Sequence, residues 1–147
     1  MAGPIYARRL NLKPGDSIRL VGDILPNARR FVIDLGKDGS NIGLRFSPNF
    51  DYERDYRNIL CNSMEDGAWD KGIRHTYFPF VQGTTVEILI EFKGTSFEVK
   101  LPDGFHLSFP NRTTLTTMDS VAVYDDIKMT TLELLSISPN KQASENS

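Results

Sequence analysis

The sequence predicts an all-β protein, an antiparallel β-sandwich of two sheets. Apolar and polar residues alternate in many short runs, which is the pattern of half-buried strands. Clusters of Pro, Gly, Asn and Asp separate these runs and predict turns. No segment has a sustained apolar period of about 3.6 residues, so we expect almost no helix. Many short strands at regular spacing are typical of two sheets packed face to face.

The predicted strands follow one another from residue 17 to residue 135. The strongest run is 84–92, in which Val86, Ile88 and Ile90 fall on one face of an extended chain. The other predicted strands are 17–22, 30–35, 42–46, 57–62, 96–101, 106–109, 119–124 and 127–135. Turns between them are predicted at residues 14–15, 25–27, 37–39, 93–94 and 102–104.

Size and charge limit the classes of protein to consider. The chain has 147 residues and a formal net charge of −2. We therefore expect one domain, residues 1–136, and no affinity for nucleic acid or for an anionic membrane. Residues 137–147 are polar and lack a period, so we expect them to form a disordered tail.

The chain has a single cysteine, so no disulfide forms within it. Cys61 alternates with the polar Asn62 on a predicted strand, and we expect its thiol to face the core. The first residues lack the apolar stretch of a secretory signal, and no segment is long and apolar enough to span a membrane. We therefore expect a cytoplasmic protein with no membrane insertion.

A row of polar side chains follows the predicted strand through residues 44–50. Leu44 and Phe46 fall on one face and point toward a core, whereas Arg45, Ser47 and Asn49 fall on the other. Such a row offers directional hydrogen bonds, which sugar hydroxyls need because each of them both donates and accepts. The row therefore indicates a surface site for a polar ligand.

Three residues downstream add to this site. Asn62 has an amide that donates and accepts, Trp69 has a broad flat ring, and Arg74 has a rigid fork of donors. The C–H face of a pyranose packs on an indole while its hydroxyls bond to polar groups, so the combination suits a saccharide. Taken alone, Trp69 is better explained as a core aromatic residue than as a sugar-binding plate.

Residues 45–74 resemble the sugar-binding region of galectins, the β-galactoside-binding animal lectins. That family has H-x-N-x-R on one strand, V-x-N on the next and then W-x-x-E-x-R, and the spacing matches here without gaps. Asn62, Trp69 and Arg74 stand where the family has its Asn, its Trp and its final Arg. Their place in the pattern favours an exposed Trp69. The similarity extends over residues 5–135 and includes N-A-R-R-F-V-I-D-L-G-K-D and H-L-S-F-P-N-R.

Five positions depart from the family's pattern. Arg45 stands in place of the His, Ser47 in place of the Asn, and Asn49 in place of the first Arg. Gly72 stands in place of the Glu, and Leu60 in place of the Val. In the family the first three converge on the axial 4-hydroxyl of galactose. The resemblance therefore implies altered or relaxed specificity, with β-galactosides weakened and other sugars, such as mannosides, equally plausible.

Loss of the Glu leaves Arg74 in need of another anionic partner. Asp55 is the first candidate and Glu53 the second, both in the segment D-Y-E-R-D-Y. An arginine braced in this way still presents donors to a ligand, whereas an unbraced one loses order and selectivity. The predicted carbohydrate-binding residues are Arg45, Ser47, Asn49, Asn62, Trp69 and Arg74.

The resemblance also implies the form of the fold and the partners. It implies a jelly-roll sandwich with a single carbohydrate-recognition domain. Glycans or glycoproteins are the expected ligands, and a homodimer is expected to form through residues 5–10 and 129–135. Members of the family leave cells without a signal peptide, so export by such a route is open to this chain too.

Two other functions compete with that of a lectin. The alternative is a galectin-fold structural or protein-interaction module without sugar binding. The replacements in the sugar-binding motif favour this alternative. The retained Asn62, Trp69 and Arg74 argue against it. An enzyme is not expected, because the site lacks the two facing carboxylates of a glycosidase and no nucleophile–histidine arrangement is readable. No cluster has metal-ligand spacing, so we expect no metal and no cofactor.

Overall fold

The computed structural model describes residues 3–136, which form twelve strands in two antiparallel sheets and confirm the predicted all-β jelly-roll sandwich. None of these residues belongs to a helix that could cross a membrane. The strands are β1 (Ile5–Ala7), β2 (Ser17–Ile24), β3 (Phe31–Asp38), β4 (Asn41–Tyr52), β5 (Asp55–Glu65), β6 (Ala68–Trp69), β7 (Ile73–His75), β8 (Thr85–Phe92), β9 (Ser96–Lys100), β10 (His106–Pro110), β11 (Ser120–Asp125) and β12 (Ile127–Leu135).

The seven-stranded sheet carries the polar row, and the five-stranded sheet covers its inner face. The first has the order β1-β11-β3-β4-β5-β6, with β7 also paired to β5, and the second has the order β10-β9-β8-β2-β12. Leu44 and Phe46 are fully buried between the sheets, where Phe46 and Phe31 pack edge-to-face on Phe80. Burial of these apolar inner faces holds the two sheets together.

Nine of the twelve strands correspond to predicted ones, and three do not. The alternation pattern does not predict β1, β6 and β7, because two or three residues are too few to show a period. This matters for the site, since Trp69 lies on β6 and Arg74 on β7. The predicted tail, residues 137–147, lies outside the described residues, and the domain boundary at residue 136 stays a prediction.

Two tight turns flank β5 and position the site. Asp66 and Gly67 join β5 to β6 with φ of 52° and 80°. Two successive positive φ values are those of a type I′ turn, for which Asp-Gly is a favoured pair. At the other end Glu53, with φ of 54°, lies in the turn from β4 to β5. The first turn leads directly into Trp69, and the second leads into Asp55.

Terminal strands form one edge of each sheet. Strand β1 ends the seven-stranded sheet and β12 ends the five-stranded sheet. The register of β12 on β2 shifts between Met129 and Thr131, which makes Thr130 a bulge. Beyond this bulge Leu134 is exposed. Within residues 3–136 no further strand pairs with either edge, so both offer backbone N–H and C=O groups to another strand.

Candidate functional site

Four strands, β4 to β7, bring the predicted site residues to the outer face of the seven-stranded sheet. Arg45 lies opposite Asn62 in the β4–β5 pair, and Ser47 lies opposite Leu60. Leu60 in turn lies opposite Arg74 in the β5–β7 pair. Arg45 and Arg74 therefore stand at two corners of the site, with Asn62 and Leu60 between them.

Trp69 lies at the end of the β5–β6 hairpin with 42 % of its surface exposed. The ring is not bare, because the Cζ atom of Arg45 lies over it at 4.3 Å from the ring centroid. That separation is within the range of a cation–π contact. Trp69 is thus an exposed aromatic plate, and the Arg45 guanidinium covers one of its faces.

Asp34 on β3 fixes the guanidinium of Arg45. Arg45 Nε donates to Asp34 Oδ1 and Arg45 Nη2 donates to Asp34 Oδ2, both at 2.8 Å. Arg45 Nη2 also donates to Tyr124 Oη at 2.5 Å, and the Tyr124 hydroxyl donates to Asp34 Oδ2 at 3.1 Å. The three side chains therefore form one closed, charge-assisted network.

The same network changes the pKa values of two of its members. Burial opposes the charged form of Arg45, but the hydrogen bonds and charge of Asp34 outweigh it and raise the Arg45 pKa. Burial, together with the Asp34 charge, raises the pKa of Tyr124 to about 12. At neutral pH Arg45 is therefore a charged guanidinium and Tyr124 a protonated phenol.

Arg74 is braced by Asp55, as the sequence predicts. Arg74 Nε donates to Asp55 Oδ1 at 2.6 Å, and Arg74 Nη2 donates to Asp55 Oδ2 at 3.4 Å. The hydrogen bond from Arg74 holds the pKa of Asp55 below its ordinary value. Glu53, the second candidate, makes no ion pair with Arg74 within residues 3–136. The Arg74 side chain remains 51 % exposed, so its fork stays accessible to a ligand.

Alternation predicts that Ser47 and Asn49 are exposed, but both side chains are buried. The exposed fraction is 0 % for Ser47 and 1 % for Asn49. Ser47 Oγ donates to Asn49 Oδ1 at 3.4 Å, and Asn49 Nδ2 donates to Asn58 Oδ1 at 3.1 Å. Asn58 Nδ2 then donates to Asp55 Oδ1 at 2.9 Å. Alternation gives the face of a short side chain but not its depth below longer neighbours. The chain of bonds ends on the carboxylate that braces Arg74.

Asn62 is held by an arginine that the sequence pattern does not single out. Arg112 Nη2 donates to Asn62 Oδ1 at 3.0 Å, and the backbone N–H of Ser63 donates to the same oxygen at 2.8 Å. Arg112 is anchored in turn by Ser63 Oγ and by the Lys71 carbonyl, both at 3.0 Å. Asn62 and Arg112 are 50 residues apart, so no local pattern signals the contact. The amide oxygen of Asn62 is therefore occupied.

A groove of ≈ 270 Å³ opens beside Trp69 and Arg45 on the outer face. Its walls include Met64 and the two tyrosines Tyr6 and Tyr124. A larger groove of ≈ 500 Å³ lies on the five-stranded sheet and includes none of the predicted site residues. The smaller groove is therefore the one that adjoins the candidate site.

Comparison with known proteins identifies the family. A family model of galactoside-binding lectins matches residues 5–134. Galectin-1 of Sus scrofa is 43 % identical to the chain over 129 residues, which covers 88 % of this chain and 96 % of that protein. The chain belongs to the galectin family. Members of the family are carbohydrate-binding lectins, so this galectin is not an enzyme.

Two solved structures are similar to this galectin throughout. CG-16, a homodimeric agglutinin from chicken liver, is 36 % identical with a TM-score of 0.87, covering 90 % of this chain and 99 % of that one. Toad ovary galectin in complex with thio-digalactose is 31 % identical with a TM-score of 0.87, covering 91 % and 99 %. The resemblance of the sequence to galectins is confirmed.

This galectin offers hydrogen-bond donors rather than acceptors at its candidate site. Asn62 Nδ2 and the Nη1 group of Arg74 have no partner within residues 3–136, whereas the carboxylates of Asp34 and Asp55 are occupied by arginines. Gly72 supplies no carboxylate in place of the family's Glu. A hydroxyl that bonds to these donors must therefore act as the acceptor.

Other reactive side chains of this galectin form no second site. Cys61 is fully buried, as predicted, and burial raises the pKa of its thiol to about 12. His106 is exposed, whereas His75 is half-buried and burial lowers its pKa. In the described part of the chain, no three His, Cys, Asp or Glu side chains lie close enough together to hold a metal ion.

Proposed function

We propose that this galectin is a carbohydrate-binding lectin with altered or relaxed specificity. The observation that carries the proposal is the exposed ring of Trp69, flanked by unpaired donors on Asn62 and Arg74. The indole packs on the C–H face of a pyranose, and the donors bond to its oxygens. Leaving a large aromatic ring exposed adds nothing to the stability of the fold, which favours a role in ligand binding.

Direct contact is assigned to four of the six predicted residues. Ser47 and Asn49 are too deeply buried to reach a ligand, and their role is to order Asp55 and through it Arg74. The residues assigned to direct contact are Arg45, Asn62, Trp69 and Arg74.

β-Galactosides are expected to bind more weakly than the family's pattern would give. Two of the three residues at the 4-hydroxyl positions are buried, and Gly72 offers no acceptor. A neutral hydrogen bond contributes about 0.5–1.5 kcal/mol and one to a charged group about 1.5–3 kcal/mol, so losing three or four of them costs about 3–6 kcal/mol. Sugars with other hydroxyl patterns, such as mannosides, are therefore included among the ligands.

We extend to this galectin the assembly stated for CG-16, a homodimer. The support is the pair of edges at β1 and β12, which no other strand covers within residues 3–136 and which a second copy related by a two-fold axis is able to extend. Leu134 is exposed beside a small cleft lined by Leu10 and Leu12. A dimer has two sugar sites, which gives avidity on cell-surface glycans and glycoproteins.

We also propose synthesis in the cytoplasm and export by a route that needs no signal peptide. The support is a single, buried and unpaired cysteine, which fits a reducing compartment. Release of the tagged chain from cells in which the secretory pathway is blocked would support this route. Release that stops together with a secreted control protein would exclude it.

A glycan array of the wild type and of Trp69→Ala tests the lectin proposal. The wild type is expected to bind at least one class of glycan, and the alanine variant to lose that binding because the stacking surface is gone. Phe105→Ala is the matched control, since Phe105 is a ring with 50 % exposure outside the site. Glycan binding that persists in Trp69→Ala and equals that of the control would contradict the proposal.

The second candidate is a galectin-fold interaction module without sugar binding. One observation favours it: the Arg45 guanidinium already lies on the Trp69 ring, where a sugar would stack. A flat array obtained with well-folded wild-type protein, together with a specific protein partner that survives Trp69→Ala, would support the module over the lectin.

A further inference from the structure

Asp34 is not one of the residues predicted to bind sugar, yet it determines where one of them lies. We propose that Asp34 is a specificity-determining positioning residue: its carboxylate, together with Tyr124, holds Arg45 across Trp69, so that the ligand meets a guanidinium at this corner instead of a bare indole. The inference rests on the proposed lectin function and concerns which sugars that site accepts.

The guanidinium of Arg45 is held in one position by its hydrogen bonds. Its Nε and Nη2 groups make three hydrogen bonds, two to Asp34 at 2.8 Å and one to Tyr124 at 2.5 Å. The Arg45 and Asp34 side chains are only 22 % and 11 % exposed, so water competes weakly for these bonds. Arg45 therefore cannot leave the ring without breaking the whole set of bonds.

The Arg45 side chain, held in this position, leaves one guanidinium nitrogen for a ligand. Nη1 is the one guanidinium nitrogen of Arg45 that has no acceptor within residues 3–136. It has two N–H groups and no capacity to accept. The corner that contains Arg45 and Trp69 therefore selects a saccharide with an acceptor oxygen there, such as a ring oxygen, a carbonyl oxygen or an accepting hydroxyl.

Removing the Asp34 carboxylate is expected to release Arg45. In Asp34→Asn the fork-to-fork pairing is lost, and Arg45 is free to move away from Trp69. The freed ring offers both faces to a pyranose, whereas the fixed donor is lost. Sugars held mainly by stacking are expected to gain affinity relative to sugars held by an acceptor at this corner.

Trp69 is the only tryptophan of the chain, so its fluorescence reports this contact directly. Acrylamide quenching is measured for the wild type, Asp34→Asn and Tyr124→Phe. The quenching constant is expected to rise about twofold in Asp34→Asn, because the guanidinium no longer covers one of the two ring faces. Tyr124→Phe removes one of the three bonds and is expected to give a smaller rise.

The matched control is Asp125→Asn. Asp125 accepts from Arg30 Nε at 2.8 Å, and the Arg30 guanidinium lies 3.9 Å from the Tyr52 ring centroid. This is the same arrangement of carboxylate, guanidinium and aromatic ring, but it does not involve Trp69. The control is expected to leave both the quenching constant and the sugar preference unchanged.

The sugar preference is measured by titrating lactose, N-acetyllactosamine and methyl α-mannoside into the same proteins. The ratio of their dissociation constants is expected to change about tenfold in Asp34→Asn, the effect of one hydrogen bond to a charged group. In folded Asp34→Asn, an unchanged quenching constant would overturn the inference, and so would an unchanged ratio. If Asp34→Asn does not fold, the same two outcomes are read from Tyr124→Phe.

Failure of this inference is distinguishable from failure of the lectin proposal. Sugar binding by the wild type with an unchanged ratio in the variants overturns the role of Asp34 alone. If the wild type binds none of the sugars and Asp34→Asn gains binding, the result supports the role of Asp34, because it means that Asp34 holds Arg45 where it blocks the Trp69 ring. Absence of binding in both proteins overturns the lectin proposal and this role together.

Discussion

A Cβ atom built at Gly72 would lie 2.8 Å from Leu60 Cδ1, so the Leu60 side chain already occupies the space that a side chain at position 72 would need. The two positions are therefore coupled by packing. Gly72 stands where the galectin pattern has Glu, and Leu60 where it has the smaller Val. Together they remove an acceptor from the centre of the site and put a methyl group in its place.

Restoring the carboxylate therefore requires making room for it. Gly72→Glu alone is expected to lower the free energy of unfolding by about 1 kcal/mol, at the low end of overpacking costs because the clashing methyl ends a flexible side chain. The double variant with Leu60→Val is expected to recover that stability. It is also expected to bind lactose about tenfold more tightly than the wild type, since one acceptor returns to the site.

Denaturant unfolding and lactose titration check this coupling, with Leu60→Val alone as the control. The double variant must be more stable than Gly72→Glu for the coupling to hold. Equal losses in the single and double variants would show that Leu60 and Gly72 act independently.

The Arg74–Asp55 pair predicts how stability depends on pH. Arg74 holds the folded-state pKa of Asp55 below its ordinary value of about 3.9. A lowered folded pKa gives stability that is full above the ordinary value and is lost as pH falls through the folded pKa. The wild type should therefore lose this contribution in acid, whereas Asp55→Asn, less stable at pH 7 by about 1–3 kcal/mol, should lack that part of the pH dependence.

Urea midpoints measured from acid to neutral pH check this prediction. Asp51→Asn, at an exposed carboxylate of the same hairpin, is the control and should follow the wild type. If the urea midpoints of the wild type and Asp55→Asn fall in parallel as the pH is lowered, the ion pair does not stabilise the fold.

Cys61 is expected to be chemically inert in the folded protein. Its side chain is fully buried, and burial raises its pKa to about 12, so almost no thiolate forms near pH 8. An aromatic disulfide reagent should therefore leave the native protein unlabelled and react with one thiol per chain in denaturant. Rapid stoichiometric labelling of native protein would mean that the core around Cys61 opens readily.

The proposed dimer predicts that a charge on the β12 edge weakens association. Leu134→Lys is expected to raise the dimer dissociation constant about tenfold or more, because an ammonium group would be buried at the interface. Val81→Lys is the matched control, since Val81 is an exposed apolar residue that belongs to neither β1 nor β12. Sedimentation that shows a monomeric wild type at all concentrations would contradict the dimer.

Much of the fold could be predicted because its long strands alternate clearly. The run at 84–92 corresponds to β8 almost residue for residue, since its apolar face is fully buried. Strands β6 and β7 are too short for a period, although Asp66-Gly67 is a sequence signal for the hairpin that leads into Trp69. Turn chemistry would have located that hairpin where alternation does not.

The chemistry of the site could be predicted from the sequence, but the burial of its side chains could not. Loss of the Glu made an anionic partner necessary for Arg74, and this reasoning led correctly to Asp55. Alternation placed Ser47 on the correct face, but its burial depends on the longer side chains around it. The contact of Arg112 with Asn62 joins segments 50 residues apart and follows from the folded topology alone.

An NMR titration that follows the indole N–H signal of Trp69 shows directly whether a saccharide binds at this ring. The chain has one tryptophan, so this signal is assigned without ambiguity. With lactose and methyl α-mannoside as probes, we predict that at least one sugar shifts the indole signal and the Arg74 Nε signal together and in a saturable way. An indole signal that stays fixed with both sugars up to their solubility limits, in protein that is folded, would contradict a saccharide site at Trp69.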